Sequence, residues 1–427
     1  MIKIYKSSDP EVQARLNRAA ERDAAVENSV ANIIAKTRSR GLDAVLEYTK
    51  KFDGVTLDAD TVEVSREEID AAYAQVDGAM IGSLKKSAER IREFHAKQLR
   101  GSTMDYLPDR ALGVMIRPLE RVGIYAPGGT AFYPSSVLMN AVPAKVAGVP
   151  EIIMVTPPDR KTGGLSPLTL AAADIAGVDR IFKVGGAQAI AALAFGAAPI
   201  PRVDKITGPG NAYVAEAKRQ VFGQVGIDSV AGPSEVFIIA DFSAKADWVA
   251  ADLLAQAEHD ERAQAILATP SAELAQAVAV SLERQANERD RKSIIGKSID
   301  DYGIIIVTET LEEAFDTANK AAPEHLELCI DHTFSRLGLV KNAGAVFLGH
   351  FTPESVGDYI AGSNHVLPTS GTARFFSGLS VDDFIKKTSV VFYTKSALKG
   401  DADDIERIAL GEGLDAHARS ATIRFDT

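Results

Sequence analysis

One cysteine, Cys329, stands in a chain of 427 residues. No intrachain disulfide can form, and no zinc site built on several thiolates is available. A lone thiol fits a reducing compartment. Basic residues are outnumbered 47 to 58, for a formal charge of −11, and no Lys/Arg run is present. That balance argues against a nucleic-acid partner and mainly favours solubility. Long apolar runs are also missing. The longest, AQAIAALAFGAAPIP, is too short to span a bilayer and is broken by Gly and Pro. The opening MIKIYKSSDPEVQARL lacks the apolar core of a secretory signal. These absences predict a cytoplasmic protein with no membrane partner.

What is present is ordinary for a globular chain. Hydrophobic residues make up 46% and charged residues 25%, enough for a sizeable core. At about 100–200 residues per domain, the length suggests two to four domains or one large two-lobed body. Residues 11 to 50 read as helical. Ser65 and Glu68 form a capping box that opens a further long helix toward residue 98. From about residue 112 short apolar runs alternate with helical patterns: VGIYA, EIIMVTPP, RIFKV, DKIT, SEVFIIAD, AQAILATP, GIIIVTE and GAVFLG. Strands alternating with helices predict βαβ units and mostly parallel sheets, an α/β fold. The last 55 or so residues lose the alternation and read as an extended arm with a helical end.

Several motifs carry chemistry, each beside a plainer account. The glycine turns APGGT, VGGAQ and TGPGN follow strands and suit a phosphate at a helix N-terminus, although α/β proteins turn on glycine anyway. AGPSE instead precedes its strand, and no G-x-G-x-x-G follows one. The helix DWVAADLLAQAEHD ends with Gln256 and His259, three apart and therefore on one face. That pair could hold a metal, or His259 could simply suit a helix C-terminus. PEHLEL sets Glu324 beside His325, two bases on a loop or a solvated loop pair. ESVGDYIAGSNHVLP supplies Glu354, Asp358 and His365 at a spacing that matches no local metal motif, and EGLDAH supplies Glu412 and His417 in the tail, where charges are usually solvated.

Taken together the motifs are specific. PGGTAFYPSSVLMNAVPAKVAG, VGGAQAIAALAFG, GPGNAYVAEAKRQVFG, AGPSEV, LLAQAEHD, PEHLEL, ESVGDYIAGSNHVLPT and GLDAHARS occur in one order. The chain closely resembles the histidinol dehydrogenase family over essentially its whole length. The resemblance implies zinc held by Gln256, His259, Asp358 and His417, and catalytic bases at Glu324 and His325. It implies that Ser234, Glu412 and His325 contact substrate together with the four metal ligands, and that Tyr125, Gln188 and Asn211 hold NAD. The implied reaction takes L-histidinol through a bound aldehyde to L-histidine with two NAD+ reduced. The implied architecture is two Rossmann-like lobes in a domain-swapped homodimer. An N-terminal helical segment would cover residues 1–23. One discontinuous lobe would cover 24–120 and 234–371, a second NAD-binding lobe 121–233, and a swapped arm 372–427. Alternative readings are a same-fold NAD-dependent dehydrogenase of another alcohol, such as sulfopropanediol, and a zinc hydrolase.

Overall fold

The computed structural model describes residues 2–16, 23–128 and 133–426. Residues 17–22 of the expected helical stretch, and Gly129 and Thr130 of the first glycine turn, lie outside the described residues. The chain divides into two compact units, Met1–Gln98 with Leu119–Phe384, and Leu99–Pro118 with Ile385–Thr427. No helix among the described residues is long and apolar enough to cross a membrane.

Among the described residues fourteen strands occur in chain order: β1 (Lys3–Lys6), β2 (Thr103–Tyr106), β3 (Arg110–Pro118), β4 (Arg121–Tyr125), β5 (Glu151–Val155), β6 (Arg180–Phe182), β7 (Lys205–Thr207), β8 (Gly226–Ile227), β9 (Glu235–Ala240), β10 (Gln264–Thr269), β11 (Ile304–Val307), β12 (His325–Cys329), β13 (Ala345–Leu348) and β14 (Ile385–Tyr393). Eleven of them build two parallel sheets in the first unit. One has the order β1-β11-β10-β9-β12-β13 and the other β6-β5-β4-β7-β8. The α/β class with mostly parallel sheets is therefore the observed one.

Parallel strands covered on both faces need apolar residues on both faces. β10, QAILAT, is buried at all six positions. Alternation then sorts the side chains. Val236, Ile238 and Ala240 of β9 join the core beneath the helix Ala246–Ala257. Phe237 and Ile239 point into the opposite core with Leu326 and Leu328 of β12.

In the five-stranded sheet the strand order reverses between β4 and β7, the place where an open α/β sheet leaves a crevice at its carboxyl ends. The turn after β7 closes tightly on β4. Gly208 has φ +113°, and a Cβ there would meet the Tyr125 carbonyl oxygen at 2.2 Å. A buried ion pair grips the same residue. Lys218 Nζ donates to the Gly208 carbonyl (2.9 Å), the Gly208 amide donates to Asp228 (2.8 Å), and Lys218 pairs with Asp228.

Four sequence expectations are corrected. The N-terminal segment is not wholly helical, because Lys3–Lys6 is a strand that pairs with β11; the helix there is Pro10–Leu16. KIYK is too short and too polar to announce an edge strand. The helices Ala24–Arg40 and Leu42–Asp53, expected on the lobe of 234–371, pack on the other one. Val30, Ile33, Val45 and Tyr48 share a core with Phe182, Ile190, Leu193 and Val214. The expected long helix after Ser65 is two, Arg66–Tyr73 and Gly78–Ala96, because Asp77 caps a new N-terminus. The capping box itself is present. Finally, the arm's expected start at 372 lies within the first unit, where Leu379, Val381 and Phe384 are buried. The second unit is a β14-β3-β2 antiparallel sheet with the helices Lys395–Gly411 and Asp415–Thr422. Pairing between residues about 275 apart leaves no local pattern in sequence.

Candidate active site

PEHLEL was expected as a loop, and the structure makes it a strand start. Glu324 precedes β12 and His325 opens it, between β9 and β13 at the amino ends of the six-stranded sheet. Ser234 immediately precedes β9 at the same edge. The helix Ala246–Ala257 runs back from β9, so Gln256 and His259, at and just beyond its C-terminal end, return to that edge too. The short helix Glu354–Tyr359 supplies Asp358. The candidate site thus lies at the ends opposite those where open α/β sheets usually bind ligands.

Each group is held by the backbone. His325 Nδ1 bonds to the Glu235 carbonyl oxygen at 3.0 Å, which makes Nδ1 the donor and leaves Nε2 with the lone pair. Nε2 is buried without a hydrogen-bond partner, 3.9 Å from Asp358 Oδ1. Glu324 Oε2 accepts from the Glu235 amide at 2.9 Å and lies 3.7 Å from His325 Nδ1. One residue of β9, Glu235, therefore orients both members of the Glu-His pair, through its amide and its carbonyl. Glu324 and His325 are 6% and 4% exposed. Burial pushes Glu324 well above the usual carboxylate range and His325 down to about 3. The result is a carboxyl that tends to keep its proton beside an imidazole that tends to stay neutral.

A cation-type group sits alongside. Ligand atoms of His259, Glu354 and Asp358 lie within 4.8 Å of one another. Gln256 is fully buried. With its amide turned so that nitrogen faces Glu354, it donates to both carboxylate oxygens at 3.0 and 3.1 Å. That orientation leaves the Gln256 carbonyl oxygen available to a cation. Burial lowers His259 and raises Asp358 to about 7, so the cluster favours neutral forms when it holds no cation. His365, lowered to about 4 by burial and then by the neighbouring His259, has an unpartnered Nε2 and in turn disfavours protonation of His325.

The structure thus brings Gln256, His259, Glu324, His325 and Asp358 together, with Ser234 on the same edge. Glu412 and His417 belong to the second unit, at the end of the helix Lys395–Gly411 and on Asp415–Thr422, and both are exposed. Tyr125, Gln188 and Asn211 lie at the carboxyl ends of the five-stranded sheet. The Tyr125 hydroxyl accepts from the Gly186 amide (3.1 Å), and the Asn211 carbonyl caps the helix Ala212–Val221. Gln188 differs: both its amide atoms are buried without a partner. Glu354 was visible in the sequence as a loop carboxylate, but nothing there marked it as the buried group that orients Gln256. Asp252 and Glu327, behind the site, were not picked out. The available signal was an acid four residues before Gln256 on an apolar helix and an acid two residues after His325 in a strand.

The residue range 16–425 matches the family model described as Histidinol dehydrogenase. Histidinol dehydrogenases of Geobacter metallireducens and Geobacter sulfurreducens are 53% and 54% identical over 421 residues, covering 98% of this chain and 96% and 97% of theirs. The crystal structure of histidinol dehydrogenase from Elizabethkingia anophelis superposes with a TM-score of 0.93 at 38% identity, over 99% of this chain and 98% of that one. Fold, site and likeness together define an α/β dehydrogenase. The chain belongs to the histidinol dehydrogenase family.

The histidine geometry has a measurable consequence. In the unfolded chain an imidazole takes up a proton near pH 6.5, roughly. His325 in the fold does so only near about 3. Between these values the folded state binds fewer protons than the unfolded one, so this group's contribution to stability is lost as pH falls below about 6.5. Nitrogen-15 NMR of the metal-free protein should show Nδ1 protonated and Nε2 bare from about pH 8 down to about pH 5. Protonation of Nε2 with a midpoint near 6.5 would contradict the assignment.

Proposed function

We propose that the protein oxidises L-histidinol to L-histidine by way of bound L-histidinal, reducing two NAD+, with one zinc ion in each site. The observation that carries this reading is the bare, buried Nε2 of His325, facing Asp358 beside the His259–Gln256 group. The family relatives, named histidinol dehydrogenases at about 53% identity over nearly the full length, favour histidinol over another alcohol.

The residues present fit both cofactors. Gln256, His259 and Asp358 offer a mixed oxygen and nitrogen set, with His417 as the fourth proposed ligand, and such a set suits zinc. Gln188, with its orphaned buried amide, and the glycine turns beside Tyr125 and Asn211 fit a dinucleotide. Zinc supplies a Lewis-acid grip on the substrate, and NAD+ supplies the hydride acceptor. The chain's own groups handle protons. Nε2 of His325 takes the alcohol proton as the carbon is oxidised. Glu324, which burial makes a stronger base once it has given up its own proton, takes a proton from the water that adds to the aldehyde. Ser234 and Glu412 position the substrate. Burial of the pair keeps bulk water from the bound aldehyde.

The working form is proposed to be a cytoplasmic homodimer in which the arm of one chain completes the site of the other. In support, the second unit exposes Val391, Phe392, Ile408, Leu410 and Ile423, more apolar surface than a solvated arm needs.

Two tests follow from this. About two NADH should form per histidinol, and the yield should collapse with a chelator and in His259→Asn, which should lose zinc and activity together. Glu324→Gln should slow the aldehyde step more than the alcohol step, whereas His325→Asn should slow both. One NADH with free aldehyde accumulating would contradict the two-step assignment.

The shared site is tested by refolding two inactive variants together, His259→Asn and His417→Asn. If the tail acts in trans, half the dimers are mixed and each holds one intact site, so activity returns to roughly a quarter of wild type. A mixture that stays inactive although mass analysis shows mixed dimers would place His417 in its own chain's site.

A further inference from the structure

Behind the Glu-His pair lies a second pair of acids, Glu327 buried and Asp252 half-buried, that the reaction above does not use. On β12, His325, Glu327 and Cys329 alternate onto one face, the face toward the helix Ala246–Ala257. On that helix Asp252 and Gln256 are one turn apart, with His259 beyond them on the same side. Glu327 is 1% exposed, and ligand atoms of Asp252, Glu327 and Cys329 lie within 4.8 Å of one another. Glu327 Oε1 accepts the backbone amide of Glu354 at 2.6 Å, at the start of the short helix that carries Asp358. Its other oxygen, Oε2, has no donor.

We propose that Asp252 and Glu327 share one proton and act as positioning residues. Together they hold the start of the helix Glu354–Tyr359, and so keep Glu354 against Gln256 and Asp358 against the metal. This rests on the reading of Gln256, His259 and Asp358 as zinc ligands.

Two carboxylates facing each other in a buried site cannot both ionise without a large penalty. A proton on Glu327 Oε2 donates to Asp252 and removes both the repulsion and the orphaned oxygen. Oε1 is then a carbonyl that accepts the Glu354 amide. The groups differ in the sense this needs. Burial raises Asp252 to about 6, while burial and then the Asp252 charge push Glu327 well above the carboxylate range. A metal ion between Asp252, Glu327 and Cys329 is the rival account.

The two accounts differ on what a neutral isostere does. Glutamine at 327 keeps an acceptor for the Glu354 amide and offers an NH2 to Asp252. Leucine keeps the volume and loses both. Zinc affinity is measured by competition with a chromophoric chelator, KM and kcat on histidinol, and hydrogen exchange at the Glu354 amide. Glu327→Leu should weaken zinc about 10–100-fold and deprotect the Glu354 amide. Glu327→Gln should keep zinc within about threefold and keep the amide protected. If Glu327→Leu does not fold, Glu327→Gln decides alone. A folded Glu327→Gln that loses more than about tenfold in zinc affinity, or a wild type whose second zinc equivalent vanishes in it, overturns the proposal. A wild type that binds zinc no better than His259→Asn would instead sink the zinc reading. Exchange at Glu354 would still test the positioning role.

Discussion

Four carboxyl groups, Glu324, Glu327, Glu354 and Asp358, are buried or nearly so against one another and against three imidazoles, and this constraint governs the rest of the structure. Ionised together in a low-dielectric interior they would cost more than a domain's whole stability. The cluster has two ways out: to hold protons, or to hold a cation. The backbone of β9 orients both Glu324 and His325, and its carbonyl leaves His325 an open lone pair, while burial, against the pull of the Glu235 amide, holds Glu324 above the carboxylate range. The Gln256 amide, turned by Glu354, offers its oxygen to the remaining space. An apolar surround thus makes acid–base partners out of residues that would be plain surface charges in water.

The two sheets present their candidate groups at opposite ends. The five-stranded sheet presents glycine turns, Tyr125 and the orphaned Gln188 at its carboxyl ends, the usual place for a dinucleotide. The six-stranded sheet presents the Glu-His pair at its amino ends, because the helix Ala246–Ala257 runs antiparallel to β9 and returns Gln256 and His259 there. Both belong to the same compact unit.

Much of this was legible in the sequence. The apolar runs that became β4, β5, β9, β10, β11 and β13 announce themselves, because strands buried on both faces need no polar alternation. β12 does not. HLELC carries an imidazole and a carboxylate that are buried only because the site requires them, and any reading by polarity makes it a loop. The face shared by Gln256 and His259 followed from helical spacing, but their convergence with Asp358, about a hundred residues away, followed only from the family resemblance. Glu327 and Asp252 fell outside both routes, since their partners are a backbone amide and each other rather than a ligand. The pairing of β14 with β3 was beyond local pattern for the ordinary reason that nothing in one strand names its distant partner.

The cation is proposed to sit among Gln256, His259 and Asp358 and not in the acidic layer behind them. Anomalous diffraction at the zinc edge, from crystals given one equivalent of zinc, measures this directly. The account predicts a single peak at about 2.0–2.2 Å from His259 nitrogen and Asp358 oxygen, with the Gln256 carbonyl oxygen turned toward it. A dominant peak between Asp252, Glu327 and Cys329 would contradict it.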